Sequence, residues 1–182
     1  MIRVGYLLNT PEGLAGEPGL FYNYMVARDG IYIHGQNPLL EATVCIAECE
    51  VRGLAPLRST VRLPHGRIPR HVYDLAISIL AAHAWEERYL AVVWDRWYRL
   101  RVPQQFSDGA SVSYERLPHT VMDIHSHSCL SAFFSGTDDR DETGLRLSLV
   151  VGELNTLAPQ VSLRVGVYGY FMPLELDDVF SL

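Results

Sequence analysis

The chain has 182 residues, 48% of them apolar, and a formal net charge of -6. That length suits one domain, or one domain with a sizeable extension, and that apolar content fills a core, which argues against overall disorder. The acidic balance, with no basic run and no nucleic-acid-reading motif, argues against a general nucleic-acid binder. No charge-free apolar run approaches the roughly 18 residues of a membrane helix, so no membrane association is expected. The start, Met1-Ile2-Arg3-Val4, lacks a signal-peptide pattern, and the expected location is cytoplasmic. The cysteines, Cys45, Cys49 and Cys129, form no disulfide framework, as fits a reducing compartment. Cys45 and Cys49 read as core residues and Cys129 as a loop-packing residue.

Residues 3–8 read as a short strand, followed by a loop rich in Gly and Pro (Pro11, Gly13, Gly16, Pro18, Gly19). That loop has no P-loop lysine and opens no helix, so it is not a phosphate cradle. Residues 21–26 and 31–34 flank Arg28-Asp29-Gly30, where Asp-Gly signals a hairpin. Residues 42–46 and 50–52 continue the short-strand pattern, and 54–63 are irregular or weakly strand-like. Residues 1–65 therefore read as a small β-rich N-terminal extension without a catalytic constellation, ahead of a second domain over 66–182.

Pro69 opens the clearest helix, expected to finish near Trp85. Its Val72, Leu75, Ala76, Ile79 and Leu80 form one apolar stripe. A buried strand over 89–94 follows, then a turn at Asp95-Arg96 and a half-solvated strand over 97–102. A turn at Ser107-Asp108-Gly109 and an alternating strand over 111–115 come next. The strand over 120–127 places Val121, Asp123, His125 and His127 on one face. The loop over 128–144 carries Phe133 and Phe134, which anchor it, and an acidic run, Asp139, Asp141 and Glu142, read as solvated. Strands are expected over 145–151 and 161–171, and the tail over 174–182 either folds back or frays.

The chemistry concentrates in His125-Ser126-His127, Ser135 and Asp138, the pattern H-x-H-x7-S-x-x-D. Histidines two apart on a strand point the same way, so both imidazoles reach one metal ion. Asp138, in the following loop, supplies a carboxylate oxygen. Two His and one carboxylate with a fourth position left for water is a catalytic zinc arrangement. Asp123 shares the histidine face and is either a partner that orients an imidazole or a solvated strand residue.

These residues and spacings resemble the JAMM motif of MPN/JAB-domain metalloproteases, over about residues 66–172. The resemblance implies an α+β fold, a JAB/MPN-type mixed sheet with a flanking helix. It implies Zn2+ held by His125, His127 and Asp138, with Ser135 assisting at the oxyanion and an upstream glutamate acting through the water. That glutamate precedes a buried strand in a form like E-x-x-G-x-L. Glu87 is preferred, because it puts Leu90 at the small position and Val92 at the Leu position. Glu86 is the fallback, since it sets the larger Tyr89 where Gly is usual. The sequence departs from the pattern there, and again at Ser128, where the family usually has Pro. Segments 51–57 and 132–135 look like JAB-type proteins of bacterial cassettes, including a plasmid system and antiphage operons, that also encode E1-like and E2-like proteins. The implied activity is cleavage after the C-terminal tail of a ubiquitin-like modifier, by isopeptide or peptide hydrolysis. The alternative is a non-catalytic MPN-type scaffold that binds such a protein. The N-terminal extension is the part to contact the modifier or form a homodimer, and its residues do not decide which. A closed structural zinc site would need a fourth ligand such as Cys129. The deaminase and helical zincin signatures are absent.

Overall fold

The computed structural model describes residues 2–107, 112–115 and 117–181. The turn expected at Ser107-Asp108-Gly109 falls outside it at Asp108 and Gly109.

Alternating short strands build a sheet from the N-terminal residues. Strand β1 (Val4–Thr10) turns back into β2 (Gly13–Ala15), and β3 (Tyr22–Ala27), β4 (Gly30–Gln36), β5 (Glu41–Glu48) and β6 (Thr60–Arg62) follow. Their order is β2-β1-β3-β4-β5-β6, with β1 and β3 parallel and the other pairs antiparallel. Period-2 alternation buries Leu7, Met25, Ala27 and Tyr32 together, with Cys45 and Leu57 packed against them. The pairing of Ala27 with Gly30 leaves Arg28-Asp29 as a two-residue hairpin turn. Asp29 Oδ1 accepts the Leu57 N–H at 3.0 Å. Three local expectations change. The Gly- and Pro-rich loop contains β2, residues 50–52 form no strand, and Cys49, one position beyond β5, is exposed rather than in the core.

Strand β7 (Ile68–Pro69) leads into α1 (Arg70–Ala81), with Pro69 at its N-cap. Val72, Ala76 and Leu80 are buried at i, i+4 and i+8, whereas Leu75 is half exposed. The helix stops at Ala81 and a turn carries the chain to Trp85. Strands β8 (Tyr89–Trp94), β9 (Tyr98–Arg101), β10 (Gln105–Ser107), β11 (Val112–Tyr114) and β12 (Thr120–Ser126) follow. A six-residue helix, α2 (Gly136–Asp141), precedes β13 (Leu145–Gly152), β14 (Gln160–Val167) and β15 (Tyr170–Leu174). The chain ends in α3 (Leu176–Val179) and β16 (Phe180–Ser181). A second six-stranded sheet has the order β15-β14-β13-β12-β8-β9. The tail folds back: β16 pairs parallel with β7, and Val179 and Phe180 are fully buried.

The expected α+β architecture, a JAB/MPN-type mixed sheet with a flanking helix, is corrected. Among the described residues the protein is mostly β, 45% strand and 13% helix, with large multi-stranded sheets and three short helices. The physical reason lies in the pattern. Only residues 70–81 sustain a 3.6-residue apolar period, while the β-branched and aromatic runs on either side extend as strands.

By internal contacts the chain divides into two units. One contains residues up to Pro64 with Glu142–Leu145 and Val165–Met172. The other contains His65–Asp141, Arg146–Arg164 and the residues from Pro173 onward. No helix among the described residues is long and apolar enough to cross a membrane.

Candidate metal centre

All residues of the centre lie in the second unit. Strand β12 is held antiparallel to β8 on one side and parallel to β13 on the other, with His125 opposite both Tyr89 and Val150. Its Met122 and Ile124 face one way into the core, each fully buried. Parity sends Asp123, His125 and His127 the other way. The backbone N–H of His127, just past the strand, is tied to Val151 O at 2.8 Å. Ser128 then turns the chain with φ 50. Proline fixes φ near -65°, so the residue the JAMM pattern usually has here cannot adopt this turn.

The two imidazoles converge, with Nε2 of His125 3.3 Å from Nε2 of His127. Asp138 Oδ1 lies 3.4 Å from His125 Nε2. All three ligand atoms fall within 4.8 Å of one another, and they are the one such group among the described residues. Bonds of about 2.0–2.1 Å to a tetrahedral ion separate neighbouring donors by about 3.3–3.4 Å. Among the described residues His127 Nδ1 is buried without a hydrogen-bond partner, and its Nε2 faces His125. The three donors fit a metal ion. Cys129 is not among these clustered donors, and its Sγ lies 3.9 Å from Ala84 O.

Asp138 is aimed by a capping box. Ser135 Oγ accepts the Asp138 N–H at 3.2 Å and the Thr137 N–H at 3.3 Å, while Asp138 Oδ2 accepts the Ser135 N–H at 2.6 Å. The S-x-x-D spacing is thus a helix N-terminus as well as a motif. Burial alone would raise the Asp138 carboxyl, but the Ser135 hydrogen bonds and the nearby imidazoles outweigh it and hold it below the usual range. Burial pushes His125 down to about 4, against the pull of Asp138, so its imidazole is neutral and its lone pair available near pH 7.

Glu86 and Glu87 separate clearly. Glu86 is exposed and pairs with Arg88 at 3.0 Å. Glu87 is half-buried. Glu87 lies two residues before Tyr89, which pairs with His125, and the Ser126 N–H to Arg88 O bond at 2.9 Å continues the two segments one step past that pair. Glu87 is not among the clustered ligand atoms.

Three parts of the surroundings were not evident from sequence. Arg164, in the second unit and mostly buried, places its guanidinium over the Phe134 ring, 3.7 Å from the centroid, and donates to Asp139 Oδ1 at 2.7 Å. The acidic run is therefore not simply solvated, and Glu142 is buried as well. An arginine inside the apolar run Val161-Ser162-Leu163-Arg164-Val165 was the available signal. Phe133 packs edge-on to His127, ring centroids 4.7 Å apart. Asp123 is bonded by the Tyr89 hydroxyl and by Arg146 Nη1 at 2.6 Å, and not by an imidazole. Neither expectation for Asp123 holds, because it is buried and paired. No protein-family model matches this chain, and a search of curated proteins returns no match.

Proposed function

We propose that the protein is a zinc-dependent JAMM-type hydrolase that cleaves the peptide or isopeptide bond after the C-terminal tail of a ubiquitin-like modifier. The observation that carries this is the donor geometry: two nitrogens and a carboxylate oxygen at 3.3 and 3.4 Å, the edge length of a tetrahedral zinc site, with no fourth protein ligand among the described residues. The substrate class rests on the likeness of H-x-H-x7-S-x-x-D to the JAMM motif.

Bound Zn2+ supplies Lewis acidity, lowering the pKa of a water towards about 7 and polarising a carbonyl. His125, His127 and Asp138 would hold it, two neutral donors and one negative one leaving net positive charge for the chemistry. Glu87 takes the proton of the attacking water and passes it to the leaving amine, a role suited to a half-buried carboxylate two residues before Tyr89, the ladder partner of His125. Ser135 Oγ spends its acceptor capacity on the α2 N–H groups and keeps its O–H to donate to the oxyanion. Hydrolysis needs no acyl-enzyme, so Cys129 has no role as nucleophile. The modifier and its conjugates are the partners, with E1-like and E2-like proteins of the same pathway acting upstream.

The test is hydrolysis of ubiquitin carrying a C-terminal fluorogenic amide, with and without a chelator. Zinc-dependent release that Glu87→Gln abolishes supports the proposal. Zinc binding without release in the wild type indicates the scaffold instead.

A further inference from the structure

The sheet edge beside the metal centre is finished by a side chain rather than by a strand. In the β8–β9 ladder Ala91 faces Arg101, and the same register two residues on sets Tyr89 against Pro103. Proline has no N–H and a fixed φ, so the ladder cannot close there, and β9 ends at Arg101. Tyr89 still directs its backbone groups to that side. Arg88 faces β12, its O accepting the Ser126 N–H and its N–H donating to Ser126 Oγ, and successive residues of an antiparallel strand alternate between neighbours.

One residue meets both groups. Gln105 Oε1 accepts the Tyr89 N–H at 2.8 Å, and Gln105 Nε2 donates to Tyr89 O at 3.1 Å. A primary amide is a peptide unit without its chain, and here it presents the acceptor and donor that a neighbouring strand would present. Tyr89 is the residue directly across the ladder from His125.

We propose that Gln105 is a displaceable plug, and that an extended peptide arm of the substrate replaces it by adding to the β8 edge at Tyr89. This rests on the hydrolase function proposed above. An arriving peptide reproduces both hydrogen bonds and adds side-chain contacts that a lone amide lacks, so the exchange favours the peptide. While the plug is seated, the edge is closed to chance strand pairing, and the substrate's apparent affinity is reduced by the fraction of molecules with it seated. If Gln105 only completes the fold, its removal gives the peptide no advantage.

The experiment compares wild type with Gln105→Ala and Gln105→Glu. The Glu variant keeps the acceptor for the Tyr89 N–H and loses the donor, and it carries the test if the Ala variant does not fold. Hydrogen exchange at the Tyr89 amide is followed alone and with free ubiquitin, whose extended tail is the probe. KM is measured with the ubiquitin fluorogenic amide. In Gln105→Ala the Tyr89 amide should exchange faster, ubiquitin should restore its protection, and KM should fall by about fivefold to tenfold, with Gln105→Glu between. A KM that rises or does not change, or a Tyr89 amide that ubiquitin leaves unprotected in Gln105→Ala, overturns the proposal. Exchange needs no turnover, so a wild type that fails to hydrolyse counts against the hydrolase function while the plug is still judged.

Discussion

Ser135 and Asp138 exchange hydrogen bonds across the first turn of α2, and the exchange leaves Asp138 Oδ1 3.4 Å from His125 Nε2. One carboxylate thus caps a helix with one oxygen and completes a donor set with the other. Ser135→Ala should therefore cost about 1 kcal/mol of stability and weaken zinc binding by roughly tenfold to a hundredfold. Ser135→Thr, which keeps a cap, should restore most of both. Thermal unfolding and zinc titration of the two variants check this.

Glu87 and Glu86 are adjacent but differently placed. Glu87→Gln should lower turnover by about a hundredfold or more with zinc stoichiometry unchanged, because it removes a base and no ligand. Glu86→Gln breaks only an exposed pair with Arg88, whose worth is about 0–1 kcal/mol, and should hydrolyse like wild type. Steady-state kinetics on zinc-loaded protein distinguish them.

Gly152 ends β13 beneath the loop that follows the metal strand. A Cβ there would press on the Leu130 carbonyl oxygen and the Ala132 nitrogen, both backbone. That loop is also fixed by the Glu153 N–H to Leu130 O bond at 2.7 Å. Gly152→Ala should cost about 1–3 kcal/mol and loosen zinc binding, since the displaced segment carries Phe133 against His127. Urea unfolding with and without zinc reads both effects.

His34, in the first unit, is held below its ordinary 6.5 by burial, with Glu41 pulling the other way, and its Nδ1 lies 3.0 Å from Thr43 Oγ1. Between the lowered folded pKa and 6.5 the unfolded chain binds more protons, so stability rises with pH there. Its contribution is fully present above 6.5 and is lost as pH falls through the lowered value. The decline cannot exceed about 1.4 kcal/mol per pH unit for one group. His34→Gln should shrink the stability difference between pH 7.5 and pH 5.5 in chemical denaturation. An equal difference in both proteins would dissociate His34 from it.

The local alphabet of this fold was readable, and the long-range part was not. The parity of His125 and His127 follows from strand period alone, and the β8 run and the start of α1 at Pro69 show in the apolar pattern. The α+β architecture is what the resemblance to the JAMM motif implies, whereas the β-branched and aromatic runs on either side of α1 extend as strands. Nothing in Ala82-His83-Ala84 forbids a helix, so the sequence alone does not show that α1 stops at Ala81. Ser135-x-x-Asp138 was legible as a motif, yet its capping geometry appears only once α2 forms. Arg164 over Phe134, Asp123 with Arg146, and Gln105 on Tyr89 join residues 16 to 30 positions apart. Such partnerships are set by sheet register, which no local pattern states.

The central claim is that His125, His127 and Asp138 form one zinc site. Calorimetric titration of Zn2+ into metal-free wild type, His125→Ala and Asp138→Ala tests it most directly. One zinc ion per wild-type chain, with binding lost or weakened at least a hundredfold in both variants, is the predicted result. A wild type that binds no zinc, or variants that bind it as tightly as the wild type, would contradict it.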